Sequence, residues 1–165
     1  MDVKDLGDPF PAAHRVLLQA LGPPLVTIAT AESCTGGLLG ASLTAVPGSS
    51  AVYLGGVVTY SNAAKLTLLG VPGAVLKTRG AVSPQVAAAM AAGVRSALGA
   101  AVGIGVTGVA GPGSSERKPA GLVYVALSSA RGTRLGKLDR DRGRHGNRVA
   151  AVELALRMLA EELGS

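Results

Sequence analysis

Residues 32–37, Glu-Ser-Cys-Thr-Gly-Gly, put an acid, two candidate nucleophiles and two adjacent glycines into six positions. A short β-branched run, 26–31, precedes them, and an apolar helical pattern follows at 38–45. A strand that turns sharply into a helix presents its last side chains at the carboxyl end of a sheet. Backbone N–H groups at the helix start can hold an anion or an oxyanion there. Ser33 and Cys34 are both candidate nucleophiles, with Cys34 intrinsically the stronger because a thiol ionises more easily than a hydroxyl. Glu32 sits beside them at the strand end and is a candidate for binding the substrate. The N–H groups from Thr35 through Gly36 and Gly37 are candidate oxyanion donors, and the two glycines let a ligand approach the backbone. Ser, Thr and Gly ahead of a helix also make an ordinary N-cap.

A second cluster, Thr59-Tyr60-Ser61-Asn62-Ala63-Ala64-Lys65, lies at another strand end. Lys65 falls one turn into a short helix, on the side of Ser61. A lysine beside a serine hydroxyl in a closed site can act as general base when burial lowers its pKa, although most helical lysines are merely solvated. Residues 103–108, Gly-Ile-Gly-Val-Thr-Gly, formally fit G-x-G-x-x-G. A dinucleotide fingerprint is rejected, because the segment runs into Ala-Gly-Pro-Gly and cannot open a helix. It reads instead as a strand end at Val106-Thr107 and a backbone-rich loop from Gly108 through Gly111 to Gly113, able to offer N–H groups to phosphate. His14 and His145 have no partner at metal-ligand spacing, and one cysteine cannot build a thiolate site, so no metal and no cofactor are expected.

The 165 residues suit one domain, 1–165, with residues 1–9 frayed. Hydrophobic residues make up 48% but aromatics only 2%, so Ala, Val and Leu must build the core and allow close helix–sheet packing. The net charge of +6 favours an anionic partner. Seven of the basic residues fall within 131–148: Arg131, Arg134, Lys137, Arg140, Arg142, Arg144 and Arg148. No aromatic stands among them and no nucleic-acid module is recognisable, so specific nucleic-acid binding is not expected and a small phosphorylated ligand explains the strip as well. The single cysteine and the polar, acidic N-terminus fit a cytoplasmic location, and no apolar stretch suits a membrane span.

The elements that must position these groups alternate. Helices are expected at 11–21, 36–45, 62–69, 84–98 and 147–163, and strands at 26–31, 52–60, 102–106, 122–127 and 134–139, the last two as a hairpin. Gly55-Gly56 inside the second strand marks a bulge or close backbone approach. Gly70-Val-Pro-Gly reads as a loop. Five strands interleaved with helices give an α/β fold, a three-layer α/β/α sandwich with a mixed sheet.

Three stretches together, Ala31-Glu-Ser-Cys-Thr-Gly-Gly37, Tyr60-Ser-Asn-x-x-Lys65, and Val106-Thr-Gly-Val-Ala-Gly-Pro-Gly113 with Lys118-Pro-Ala-Gly121, resemble the C-terminal domain family of the competence-and-damage-inducible protein CinA. The likeness covers roughly residues 12–163. It implies hydrolysis of the carboxamide of nicotinamide mononucleotide to nicotinate mononucleotide and ammonia in pyridine nucleotide salvage, and a homo-oligomer, a homodimer or larger. It also implies Ser33 as nucleophile and Lys65 as the group that takes its proton, with Tyr60 and Thr107 lining the pocket. Residues 108–113 would surround the ligand. Arg144 and Arg148 fit an Arg-x-x-x-Arg element ahead of the last helix, with Arg142 a competitor. An aromatic usually precedes those arginines in the family, whereas Gly143 and Gly146 loosen the segment here. The rival reading from another class is a non-catalytic domain that senses a nucleotide or docks a DNA-repair partner.

Overall fold

The computed structural model describes residues 10–164; the fraying expected for residues 1–9 falls outside them. The β-branched and small-residue runs form five strands, Ile28–Glu32 (β1), Tyr53–Val58 (β2), Val102–Gly108 (β3), Leu122–Ser129 (β4) and Gly132–Asp139 (β5). They make one sheet in the order β2-β1-β3-β4-β5. β1 runs parallel to both β2 and β3, while β4 is antiparallel to β3 and to β5, so the sheet is mixed. Pro11–Ala20 (α1), Leu38–Thr44 (α2) and Gly143–Leu163 (α6) pack on one face. Asn62–Leu69 (α3), Gly73–Arg79 (α4) and Pro84–Leu98 (α5) pack on the other. The fold is thus the expected three-layer α/β/α sandwich, and the carboxyl ends of the parallel strands β1 and β2 lie side by side.

Small residues bring the layers close. A Cβ on Gly105 of β3 would lie 2.4 Å from the Ala87 carbonyl oxygen and 2.6 Å from the Ala91 nitrogen of α5. The alanine-rich helix therefore rests with its backbone directly on the strand. Gly105→Val should destabilise the fold by about 3 kcal/mol, the upper part of the overpacking range, because backbone atoms must move. Urea denaturation checks this, and an unchanged midpoint would refute the close-approach account. The bulge expected at Gly55 is also present. Ile28 pairs with Tyr53 and Ala29 with Gly55, which leaves Leu54 as the extra residue.

Two elements differ from the sequence reading. Residues 73–79, of which the sequence reading assigns only Gly73, to a loop, form α4, a short helix that half-buries Val75 and Leu76 and fully buries none of its residues, so its amphipathic signal is weak. The last helix starts at Gly143, four residues before the expected position. Its start is fixed by side chains: Asp141 Oδ1 accepts from the Gly143 N–H at 2.9 Å, and Asn147 Oδ1 accepts from the Arg142 N–H at 2.8 Å. The glycines at 143 and 146 therefore do not loosen the segment, and Arg144 lies in the first helical turn.

Candidate active site

Alternation along β1 decides what each end residue meets. Ile28 packs on the α1/α2/α6 face, and Ala29 and Ala31 pack on the α5 face. Glu32 therefore points to α2, and Ser33, one residue on, points to α3. The Glu32 carboxylate is buried and accepts the N–H groups of Gly37 and Leu39 on Oε2, each at 3.0 Å, and of Gly40 on Oε1 at 2.8 Å. A carboxylate at a helix N-terminus satisfies orphan donors and the positive end of the dipole together. It also ties the start of α2 back to the end of β1, so that residues 33–37 close a tight turn. Gly36 and Gly37 sit at φ +60° and +96°, left-handed conformations that side chains disfavour.

These contacts alter the expected donor set. The Gly37 N–H is taken by Glu32, and the Gly36 N–H donates to the Ser33 carbonyl at 3.0 Å. Among the described residues no carbonyl takes the N–H of Cys34 or Thr35, and these two are the donors left at the turn. Glu32, placed among the substrate-binding candidates by sequence, is occupied with holding the turn. Thr35 is buried, with its hydroxyl unpartnered.

Lys65 is 1% exposed. Its Nζ lies 2.9 Å from Ser33 Oγ and donates to the Thr59 carbonyl at 2.7 Å. Burial pushes the Lys65 pKa below its ordinary value, against the weaker pull of Cys34 and Glu116. Among the described residues no carboxylate comes within ion-pair distance of it. The partner of Lys65 is thus Ser33, 32 positions back in the chain, and not Ser61. Ser61 instead caps α3, with its Oγ accepting from the Ala64 N–H at 3.1 Å. Cys34 is buried too, and burial pushes its thiol up to about 12. A thiol so raised is rarely a thiolate near neutrality, and it is the Ser33 side chain that meets Lys65 Nζ.

A cleft of about 340 Å³ opens over this pair. Ser33, Cys34 and Lys65 line it together with Tyr60 and Asn62, with Thr107 and the loop 108–116, and with Arg144. Thr107 lines the wall, but its hydroxyl is committed to the Ala81 carbonyl at 2.8 Å. Tyr60 is 61% exposed, and its phenol oxygen accepts from Arg144 Nη2 at 3.2 Å; Arg144 Nη1 donates to the Gly111 carbonyl at 2.6 Å. Gly108, Gly111 and Gly113 all lie on the cleft wall. Arg148 does not line the cleft. Its Nη2 donates to the Thr35 carbonyl at 2.8 Å and its Nε at 3.3 Å, so it clamps the turn from behind. Of the three competing arginines only Arg144 faces the cleft; Arg142 donates to the Arg140 carbonyl at 2.8 Å.

Sequence reasoning missed Asn62, Glu116 and Asn147. Asn62 and Glu116 line the cleft, and only the former stood inside a motif. Asn147 is buried and donates to the Ala110 carbonyl at 3.0 Å, so it joins the ligand loop to α6. The basic strip 131–148 does not form one free surface. Arg134 pairs with Glu161 and Glu162, Lys137 pairs with Asp139, and Arg131 reaches Glu162. Arg142, Arg144 and Arg148 are bound to backbone carbonyls. Among the described residues no group of three or more His, Cys, Asp or Glu could hold a metal ion, and no helix is long and apolar enough to cross a membrane.

Comparison with known proteins agrees with this architecture. The competence/damage inducible protein CihA of Agrobacterium tumefaciens is 42% identical, with a TM-score of 0.89 over 96% of this chain and 97% of that one. A CinA-superfamily protein of Klebsiella pneumoniae is 32% identical, with a TM-score of 0.90 over 94% and 98% of the two chains. A putative competence-damage inducible protein of Moorella thermoacetica is 63% identical over 103 residues, which is 62% of this chain and 25% of that protein. A CinA-like protein of Synechococcus is 50% identical over 154 residues, 88% of this chain and 37% of that protein. The chain thus spans about a quarter to somewhat over a third of the length of these two curated relatives. Residues 12–163 match the CinA C-terminal domain, and the chain belongs to that family.

Proposed function

We propose that this domain hydrolyses the carboxamide of nicotinamide mononucleotide to nicotinate mononucleotide and ammonia, with Ser33 as nucleophile and Lys65 as its base. The observation that carries the reading is the buried contact between Lys65 Nζ and Ser33 Oγ at 2.9 Å. A neutral amine has two N–H groups and one lone pair. With one N–H on the Thr59 carbonyl, the lone pair is free to accept the Ser33 hydroxyl proton.

As Oγ bonds to the carboxamide carbon, its proton passes to Nζ and the carbonyl oxygen becomes an oxyanion. The N–H groups of Cys34 and Thr35 are the donors within the turn that can meet it. The Lys65 ammonium then protonates the departing nitrogen, the C–N bond breaks, ammonia leaves and Ser33 holds an ester. Water attacks that ester while Lys65 takes its proton. The proton returns to Ser33 Oγ, and the carboxylate product is released. Atoms balance as amide plus water to acid plus ammonia.

Arg144 is the group placed to hold the substrate phosphate, since it alone of the three arginines faces the cleft and its guanidinium can turn from Gly111 and Tyr60 to a stronger acceptor. Arg144→Met should raise KM for the mononucleotide about tenfold, the size of a charge-assisted hydrogen bond, and hardly change KM for the dephosphorylated riboside. Arg148→Met should show no such split. Equal KM effects of Arg144→Met on both substrates would remove the phosphate role. The reaction itself is tested with an aryl sulfonyl fluoride. The reagent should modify Ser33 and abolish ammonia release, and nicotinamide mononucleotide should slow the labelling. Labelling of Cys34 in place of Ser33, or labelled protein that stays active, would contradict the mechanism.

A further inference from the structure

We infer that Glu116 is a specificity-determining residue: its carboxylate selects an amide whose ring bears a positive charge over the same amide with a neutral ring. The cleft then takes a zwitterionic ligand, with its anionic group at Arg144 and its cationic ring toward Glu116. The inference rests on the proposed reaction for its choice of probe.

Among the described residues the charged side chains lining the cleft are Lys65, Glu116 and Arg144. Lys65 must be neutral to act as base, which leaves one positive and one negative side chain around the ligand. Glu116 is held there by unusual backbone. Glu116 and Arg117 have φ of +51° and +61°, and no other described non-glycine residue has a positive φ. Such conformations persist only where surrounding contacts enforce them, and they cluster at ligand sites. Here Ser115 and Lys118 exchange backbone hydrogen bonds at 3.0 and 2.8 Å. Lys118 Nζ in turn donates to the Arg79 carbonyl at 2.8 Å and to the Val82 carbonyl.

The carboxylate is only partly used by this brace. Oε2 accepts from the Val82 N–H at 3.4 Å and lies 4.0 Å from Lys118 Nζ. Oε1 has no hydrogen-bond partner among the described residues, and the side chain is 35% exposed, so a ligand can reach it. Its charge also reaches the reacting centre, where it favours the protonated form of Lys65. A carboxylate that only braced a loop would not need to line the cleft with an oxygen to spare. One that reads charge does, and a ring cation next to the reacting carboxamide is the ligand feature it can read.

The test is calorimetric binding to the Ser33→Ala chain, which prevents turnover. The ligands are nicotinamide mononucleotide and its 1,4-dihydro form, which have the same phosphate and carboxamide but differ in ring charge. Glu116→Gln keeps the shape and the Val82 contact and removes the charge. It should weaken the cationic ligand about fivefold, as expected for one partly exposed ion pair, and the dihydro ligand less than twofold. Equal weakening of both ligands in Glu116→Gln, no weakening of either, or no preference of the Ser33→Ala chain for the cationic form would each overturn the inference. A parent chain that releases no ammonia would refute the proposed reaction and leave the ratio of dissociation constants to decide about Glu116. Normal turnover with an unshifted ratio would sink the Glu116 assignment alone.

Discussion

Ser33→Ala will lower kcat for amide hydrolysis by at least about 10³-fold, comparable to nucleophile knockouts in other hydrolases, while the mononucleotide still binds. The change removes one oxygen from a turn whose shape is set elsewhere. Glu32 holds Gly37, Leu39 and Gly40, Arg148 holds Thr35, and the Ser33 N–H donates to the Val106 carbonyl at 2.9 Å. None of these contacts uses Ser33 Oγ, so the turn and the cleft survive. Cys34→Ala is the control. It removes a buried thiol whose ionisation is suppressed, and it should cost some stability through the small cavity while activity stays within a few-fold. The kcat values of the two variants settle the assignment. Near-normal activity in Ser33→Ala with loss in Cys34→Ala would move the nucleophile by one residue.

Lys65→Met should remove activity by at least about 10²-fold, the lower end of what general acid–base catalysis contributes, and erase the pH limb that reports the base. The rate of the parent protein should rise with pH through the Lys65 pKa, which burial holds below its ordinary value, because only the neutral amine can accept the serine proton. Stability carries a matching signature. The unfolded chain holds the Lys65 proton up to its ordinary pKa while the folded chain gives it up earlier. Between the two values the unfolded state binds more protons, so the Lys65 contribution to stability rises with pH across that window. Below the folded pKa the buried ammonium is a constant penalty. Lys65→Met removes that penalty, so the variant should be at least as stable as the parent near neutral pH, with a weaker rise of stability at alkaline pH. Thermal unfolding at several pH values, beside the pH–rate profile, checks both halves. An unchanged limb in Lys65→Met would remove it from the role of base. A loss of activity explained by unfolding near neutral pH would leave the catalytic claim without support from this variant.

The strand–turn–helix around Ser33 is legible in sequence because its signals are local: a β-branched run, paired glycines that allow left-handed φ, and an apolar helical pattern. The layer order follows from the alternation of elements. What pairs across the sheet is not local. Lys65 meets Ser33 because β1 and β2 are adjacent and parallel, whereas spacing alone favours Ser61, one helical turn away. Glu32 reads as a ligand residue because the N–H groups that donate to it lie five to eight residues downstream, beyond the usual capping pattern, and only the alternation of β1 sends it to α2. Arg144 and Arg148 differ by one turn, and their separation into cleft and clamp depends on a helix start set by Asp141 and Asn147. α4 left no trace because it is short and only half-buries Val75 and Leu76, and Glu116 left none because a polar loop residue looks solvated until its backbone is seen.

The account turns on one measurement: steady-state ammonia release from nicotinamide mononucleotide by the purified chain, with nicotinate mononucleotide identified as the second product and the Ser33→Ala protein assayed in parallel. The account predicts many turnovers per chain, ammonia and acid in equal amounts, and a Ser33→Ala rate at least about 10³-fold lower. Binding of the nucleotide without ammonia release, or equal release by the parent and Ser33→Ala proteins, would contradict it.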